Sequence, residues 1–204
     1  MTDDRADHEL LRAWRAKDAG SGDLLVRRHF ASIYAFLRSK TPEHVDELVQ
    51  ATFLACVESV ERIDEARSFR AYLFGIARRQ LIYYYRQRQR HLDRFDPMLE
   101  SVRDAVGSPS QIVAIRQEEL VVLEALNVLP LDLQITLELH YWEGMAVAEI
   151  GEVLGVPAGT VKSRLHRARE SLRAALALVT EAGTSDGLQR GLAGLHRALQ
   201  PLLP

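Results

Sequence analysis

The segment from Ala148 to Leu172 reads AEIGEVLGVPAGTVKSRLHRARESL, and it decides the fold of the C-terminal half of this chain. Its apolar residues recur every three or four positions in two blocks, which predicts two amphipathic helices. Gly155 lies between the blocks, where glycine suits the left-handed position that ends a helix, and Pro157 suits the first turn of the next helix. The pattern therefore predicts a helix-turn-helix.

The second of these helices is expected to have two different faces. Four apolar residues recur at helical spacing and are expected in the core: Val161, Leu165, Ala168 and Leu172. The opposite face carries Thr160, Lys162, Ser163, His166, Arg167 and Glu170. Short polar and basic side chains in the first half of a helix reach base edges in the major groove, and later arginines meet phosphates. We therefore expect DNA contact, with an ordinary solvated helix face as the alternative.

The composition is that of a globular protein with one large or two small domains. The chain has 204 residues, of which 47% are hydrophobic and 26% charged. No apolar run approaches the roughly 20 residues that span a bilayer, and no secretory signal is visible, so we expect a cytoplasmic protein without membrane insertion. A single cysteine, Cys56, excludes an internal disulfide, and no histidine or cysteine partner lies at metal-ligand spacing. Neither a metal nor another cofactor is expected.

The formal net charge of −2 averages over segments of opposite sign. Residues 43–65 hold seven acidic residues and one arginine, and this segment is expected to repel DNA. Residues 78–94 hold six arginines and one aspartate, with three consecutive tyrosines among them, and residues 162–173 hold five basic residues and one glutamate. The chain is therefore expected to have two basic surfaces, one on each side of a linker.

Helical periodicity extends along the rest of the chain without a convincing alternating run, so the predicted fold class is all-α. A first helix around Trp14 is expected to end before AGSGD, where Gly20 and Gly22 break it and Ser21 or Asp23 caps the next helix. A third helix opens at Thr41-Pro42, and its buried side is predicted to carry Leu48, Thr52, Cys56 and Val60.

A fourth helix is predicted from about Ser68 and continues into the arginine-rich segment. Its shared side carries Tyr72, Ile76, Ala77 and Leu81. At least one of the rings in Tyr83–Tyr85 must be exposed, because three consecutive helical residues cannot share one face. The segment from Val106 to Ser110, VGSPS, predicts a linker loop, and helices are expected at residues 111–126 and 131–141.

Three blocks, in this order, make the chain resemble the extracytoplasmic-function (ECF, group IV) class of bacterial sigma factors in the sigma-70 superfamily. The blocks are DELVQATFLA (residues 46–55), SFRAYLFGIAR (residues 68–78) and the stretch from residue 126 to residue 172. The resemblance covers roughly residues 9–95 and 114–176. It implies two small helical domains: a region 2 domain at 1–95, a linker at 96–113, a region 4 domain at 114–178, and a C-terminal extension at 179–204.

The resemblance also implies a subunit without catalysis of its own, which binds core RNA polymerase, directs promoter-specific initiation and helps to melt the promoter. Region 4 would contact the minus-thirty-five element of promoter DNA through His140, Thr160, Lys162, Ser163, Arg164, His166 and Arg167. Region 2 would contact the minus-ten element through Arg67, Ser68, Tyr72, Arg78, Arg79, Tyr83 and Arg86. Tyr72, Arg79 and Tyr83 stand where tryptophan, asparagine and an acidic residue are frequent in the family.

The same resemblance implies a protein partner for the acidic segment. Its helix would dock on the clamp helices of the polymerase β′ subunit through Asp46, Glu47, Leu48, Gln50 and Phe53. Packing is the favoured role for Leu48 and Thr52. An apolar surface near Leu126, Leu129 and Leu137 would lie toward the β flap, although core positions are favoured for all three. An anti-sigma factor that holds the free protein inactive is a further implied partner.

Two alternative functions leave parts of the sequence unexplained. A conventional helix-turn-helix repressor or activator has no use for the acidic helix or the arginine-tyrosine segment. A DNA recombinase would need a nucleophile such as Tyr83 and an acid-base constellation in a fold of its own.

Beyond the matched region, EAGTSDG interrupts the helix, and one apolar stripe follows: Leu188, Leu192, Leu195, Leu199 and Leu202. We expect this short helix to pack on one of the two domains, with dimerisation or partner binding as alternatives.

Overall fold

The computed structural model describes residues 2–63, 68–88, 96–102, 117–177, 192–194 and 196–197. The α-helices in these ranges are α1 (Thr2–Arg15), α2 (Ala19–Arg38), α3 (Val45–Ser59), α4 (Phe69–Arg88), α5 (Gln117–Asn127), α6 (Leu131–Tyr141), α7 (Val147–Leu154) and α8 (Ala158–Ala177). Short 3₁₀ turns lie at Pro42–His44 and Val60–Arg62. The all-α prediction is confirmed. Among the described helices, none has the length and apolar character to cross a membrane.

The first four helices form one bundle, in which α1 packs on α2, α2 on α3, and α3 on α4. Phe36 of α2 and Phe74 of α4 meet edge to face in its core, with ring centroids 5.2 Å apart. The three consecutive tyrosines lie on different sides of α4, as helical spacing requires, and they differ in burial. Tyr85 is fully buried, whereas Tyr83 is 61% exposed.

The junction of α1 and α2 differs from the prediction that two glycines break the first helix. The break comes earlier: α2 already contains both glycines, and its N-cap is Asp18, whose carboxylate accepts the Gly20 N–H at 3.0 Å. A Cβ at Gly22 would come within 2.6 Å of the Trp14 ring. Gly22 therefore allows α1 to pack closely against α2, and it does not end a helix.

The acidic helix α3 follows the 3₁₀ turn that begins at Pro42. Leu48, Thr52 and Cys56 are buried at four-residue steps, as predicted, and Val60 is half-buried just beyond the helix. The Thr52 hydroxyl donates to the Leu48 carbonyl at 2.7 Å, which satisfies this buried polar group. Burial raises the pKa of the Cys56 thiol to about 12.

The last four helices form a second unit around α6. This helix packs on α5, α7 and α8, and every residue from 131 to 139 is buried. Leu126, Leu129 and Leu137 are at most 2% exposed, so the surface that would have faced the β flap is core. Four buried side chains of α6 are polar: Asp132, Gln134, Thr136 and Glu138. A helix buried all round needs polar partners for such groups, and the first bundle supplies several of them.

The two units pack against each other along α4 and α7. Part of the predicted linker packs on the second unit, because residues 96–102 lie against the start of α6. The Leu131 N–H donates to the Glu100 carbonyl at 2.9 Å, and the Asp132 N–H donates to the Pro97 carbonyl at 2.8 Å. The predicted VGSPS loop lies outside the described residues, as does residue 67.

Candidate nucleic-acid interface

The turn between α7 and α8 has the geometry that its sequence predicts. Gly155 has a φ of 68°, the left-handed conformation in which glycine is favoured. A second glycine is required for a different reason, because a Cβ at Gly151 would lie 2.7 Å from the Val156 carbonyl oxygen. The sequence reasoning missed Gly151, since its requirement arises from a close approach of the chain and not from its own backbone angles.

Helix α8 buries one face and exposes the other. Val161, Leu165, Ala168 and Leu172 are at most 3% exposed, which confirms the predicted apolar stripe. The solvent face carries Lys162, Ser163, His166 and Arg167, all exposed, with Thr160 half-buried at its edge. Neighbours on the helix hold two of these side chains: the Ser163 hydroxyl donates to the Thr160 carbonyl at 2.9 Å, and His166 lies 3.5 Å from Glu170. These exposed residues form the α8 basic surface.

Two residues predicted for the minus-thirty-five element lie elsewhere. Arg164 is only 7% exposed, and its guanidinium donates to Asp132 at 3.1 Å, so it faces α6 and not the α8 basic surface. This placement corrects the expectation from charge alone. His140 is half-buried, its ring packs edge to face on Tyr141 with centroids 4.9 Å apart, and its buried Nδ1 has no hydrogen-bond partner among the described residues.

Helix α4 brings together three of the residues predicted for the minus-ten element. Arg79, Tyr83 and Arg86 are exposed, and their spacing of four and three residues places them on one helix face. The Tyr83 hydroxyl accepts a hydrogen bond from the Gln87 amide at 2.7 Å. This α4 basic surface combines two guanidinium groups with a ring on which an unpaired base can stack.

The other minus-ten residues have internal partners. Tyr72 is half-buried, and its hydroxyl donates to Ser59 at 2.8 Å. The Ser68 hydroxyl accepts the Ala71 N–H at 3.4 Å at the start of α4. Arg78 donates twice to one oxygen of Asp132, at 2.9 and 2.8 Å, which removes it from the exposed α4 face in this arrangement.

The acidic helix α3 presents most of the residues predicted to meet the polymerase. Asp46, Glu47 and Gln50 are exposed, and Phe53 is half-buried with its ring 6.1 Å from that of Phe30. Leu48 is 8% exposed and belongs to the core, which corrects its inclusion among the contact residues and agrees with the packing role that was favoured for it.

Two exposed apolar residues on α3 were missed. Leu54 is 55% exposed and Val57 is 48% exposed, on the same helix as the acidic residues. Their signal is present in the sequence, because both lie off the four-residue stripe that begins at Leu48. Apolar side chains beside exposed carboxylates suit a protein partner better than DNA, whose phosphates the carboxylates repel.

A buried ion pair joins the two units and was not anticipated. The Lys40 ammonium contacts the Glu138 carboxylate, and both side chains are at most 1% exposed. The Ser39 hydroxyl lies 3.3 Å from the same carboxylate, and Gln134 donates to it at 2.9 Å. Burial lowers the pKa of Lys40 and raises the pKa of Glu138, while their mutual attraction opposes both shifts.

The two units match two family models. Residues 25–91 match Sigma-70 region 2, and residues 119–172 match Sigma-70, region 4. The fold and the helix-turn-helix thus define a sigma-70 protein that contains these two regions. RNA polymerase sigma factor NccH of Alcaligenes xylosoxydans xylosoxydans is 33% identical over 184 residues, which cover 86% of this chain and 97% of that relative.

Two further comparisons complete the assignment. ECF RNA polymerase sigma factor SigL of Mycobacterium tuberculosis (strain ATCC 25618 / H37Rv) is 33% identical over 168 residues, which cover 79% of this chain and 92% of that relative. The solved structure of CnrH in complex with the cytosolic domain of CnrY has a TM-score of 0.64 and 26% identity, and covers 86% of this chain and 99% of that one. The chain belongs to the extracytoplasmic-function family of bacterial sigma factors.

Membership in this family defines the function at the level of the whole chain. It is a sigma factor, which binds core RNA polymerase and directs initiation at specific promoters. The matches give no support to the alternative of a conventional helix-turn-helix repressor or activator.

Proposed function

We propose that the α8 basic surface binds the minus-thirty-five element and that the α4 basic surface binds the non-template strand of the minus-ten element. One observation carries this proposal: exposed arginines and lysines are grouped on two helices in separate units, while a third helix, α3, exposes carboxylates. DNA is attracted to the first two surfaces and repelled by the third.

On the α8 basic surface, Lys162, Ser163 and His166 lie in the first half of the recognition helix, where side chains reach base edges. Arg167 lies one residue further along and suits a phosphate. Arg78 remains a predicted DNA contact, and it becomes available when region 2 separates from Asp132. Arg164 pairs with Asp132 within region 4, so it is not part of the α8 basic surface.

On α3, Asp46, Glu47 and Gln50 supply polar contacts to the β′ clamp helices, and Phe53 with the exposed Leu54 supplies the apolar part of the same interface.

The proposed domain bounds are 1–95 for region 2, 96–113 for the linker, 114–178 for region 4 and 179–204 for the extension. The chain acts in the cytoplasm and contributes no catalytic step of its own. An anti-sigma factor is a proposed partner, by analogy with CnrH, whose solved structure contains the cytosolic domain of CnrY.

Three double variants test the assignment of surfaces. K162A/R167A alters α8, R79A/R86A alters α4, and D46K/E47K alters α3. Loss of one base or phosphate contact costs about 1–3 kcal/mol, so each arginine or lysine pair should reduce promoter-specific transcription at least tenfold. Both DNA-surface variants should bind core polymerase like the wild type, whereas D46K/E47K should lose core binding.

Arg27 offers a matched control, because it is exposed on α2 and pairs with the exposed Asp23 at 2.7 Å. R27A removes one positive charge from a helix that carries none of the three surfaces, and it should leave transcription and core binding unchanged. The assignment is overturned if K162A/R167A and R79A/R86A weaken core binding as much as they weaken transcription.

A further inference from the structure

The two units are held together by polar contacts that involve predicted DNA-binding residues. One oxygen of Asp132 accepts both hydrogen bonds from Arg78, and the other oxygen accepts the bond from Arg164. The Asp132 side chain is 3% exposed, so this carboxylate is unavailable to solvent. One buried acid therefore occupies an arginine from region 2 and an arginine from region 4 at the same time.

A second junction lies at the corner that follows α6. Arg70 of α4 donates to the Glu143 carbonyl at 2.8 Å and to the Glu149 carboxylate at 3.2 Å. The Glu143 carboxylate is hydrogen bonded by Ser32 of α2. Two helices of region 2 thus hold one corner of region 4.

The C-terminal segment, residues 192–194 and 196–197, packs on this same corner. The Trp142 indole N–H donates to the Leu192 carbonyl at 2.9 Å, and the Leu192 side chain is fully buried. The His196 ring stacks on Trp142, with ring centroids 5.1 Å apart and planes inclined by 2°. His196 Nε2 also lies 3.7 Å from the Glu143 carboxylate. The segment therefore packs against Glu143, the residue of this corner that Arg70 and Ser32 of region 2 contact.

While the two units pack against each other, the protein is too short to contact both promoter elements at once. The two elements are centred about 25 base pairs apart, which is about 85 Å of duplex at 3.4 Å per base pair. A compact chain of this length has a radius of gyration of about 17 Å and is about 40 Å across. The two basic surfaces cannot contact both elements while Arg78 and Arg164 share Asp132.

We propose that the C-terminal segment is an autoinhibitory element, which holds region 4 against region 2 in the free protein through the Trp142–Glu143 corner. The segment stabilises the closed form, in which Asp132 occupies both arginines, and its release permits separation of the two regions. This inference rests on the proposed DNA surfaces. It also gives a role to Leu192 of the predicted apolar stripe, which lies beyond the residues that match region 4; Leu188, Leu195, Leu199 and Leu202 lie outside the described residues.

The test introduces an acidic residue at one of two neighbouring positions in the full-length chain. L192D places a carboxylate at a fully buried position, whereas A193D places the same carboxylate at an exposed position. Spin labels at D23C and E152C, both exposed sites, report the distance between the two units. The native Cys56 is buried and does not compete for the label, because burial raises its thiol pKa to about 12.

The wild type and A193D should show one short label distance and weak binding to a minus-thirty-five duplex without polymerase. L192D should populate longer distances and bind this duplex about tenfold more tightly, because the binding-competent fraction increases. H196A removes the ring stack without adding a charge and should shift both measurements in the same direction by a smaller factor. If L192D fails to fold, as judged by thermal unfolding, H196A decides the outcome.

Wild-type distances and affinities in both L192D and H196A would overturn the inference. Transcription by preassembled holoenzyme separates this failure from failure of the proposed function. If the wild type supports promoter-specific initiation while the variants leave the free-state distance and affinity unchanged, only the autoinhibitory role is wrong. If the wild type supports none, the proposed DNA surfaces fail as well.

Discussion

Replacement of Lys40 by methionine tests the buried junction between the two units most severely. In the wild type the Lys40 ammonium contacts Glu138 and donates to the Phe36 carbonyl at 2.7 Å and to the Ser39 hydroxyl at 2.9 Å. Methionine retains the apolar stem and removes the charge. We expect K40M to leave the Glu138 carboxylate buried without its cation.

Removal of one partner from a buried ion pair costs about 3–5 kcal/mol, because the remaining charge keeps its desolvation penalty. The Lys40 and Glu138 side chains are 0% and 1% exposed, so solvent does not reduce this cost. Glu138 keeps hydrogen bonds from Gln134 and Ser39, which favours the lower end of the range. Separation of the units returns Glu138 to water. A loss of about 3 kcal/mol should therefore lower the closed-to-open ratio about a hundredfold.

The pH dependence of K40M has a defined sign. Burial raises the pKa of Glu138 in the closed form, and loss of the Lys40 charge removes an interaction that lowers it. A carboxyl with a raised pKa stabilises the closed form at pH values below its ordinary pKa, and this contribution is lost as the pH rises through the raised value. K40M should therefore close in acid and open toward neutral pH. K40M/E138Q should remain closed across this range, because the buried group no longer ionises.

The label pair at positions 23 and 152 measures this equilibrium as a function of pH, and urea unfolding shows whether each unit remains folded. The expected result is a longer distance in K40M at neutral pH, reversed by acid or by E138Q. If K40M keeps the wild-type distance and unfolding midpoint at neutral pH, the buried pair does not hold the two units together and the reasoning is refuted.

Three further predictions concern single positions. Cys56 should resist alkylation at pH 8 in the folded protein and react once urea unfolds it, because burial raises its thiol pKa to about 12; rapid alkylation of the folded chain would contradict the buried placement. G151A should lower the free energy of unfolding by about 1–3 kcal/mol in thermal or urea unfolding, since its Cβ would crowd the Val156 carbonyl, whereas G159A, with open space around it, should not. R167A should reduce the salt-dependence slope of DNA binding by about one, and an unchanged slope, as expected for R27A, would remove Arg167 from the phosphate contacts.

Local periodicity predicted the parts of this fold that depend on near neighbours. The buried stripe from Val161 to Leu172 and the left-handed Gly155 follow from helical spacing and backbone preference, which the sequence displays directly. Arg164 lies three residues after Val161 and four before Ala168, so helical spacing places it beside this stripe, whereas its charge alone favours solvent. Its partner, Asp132, is 32 residues distant, and no local pattern shows that a buried acid meets this arginine.

The same limit explains the misplaced helix break and the unanticipated junction. Gly22 permits a close approach of Trp14, yet in the sequence it resembles a glycine that ends a helix. The buried polar residues of α6, among them Glu138, stand at every second position, and nothing in this local pattern shows that the first bundle covers them. Charge segregation was more informative: it separated the acidic α3 from the two basic surfaces before any tertiary contact was known.

Transcription in a defined system tests the central claim most directly. Core RNA polymerase is mixed with the purified chain and a promoter library, and initiation is scored on templates with either promoter element replaced. The expected result is specific initiation that requires the chain and falls when either element is lost. Tight sequence-specific DNA binding by the free chain, without co-purification with core polymerase and without specific initiation, would contradict the account.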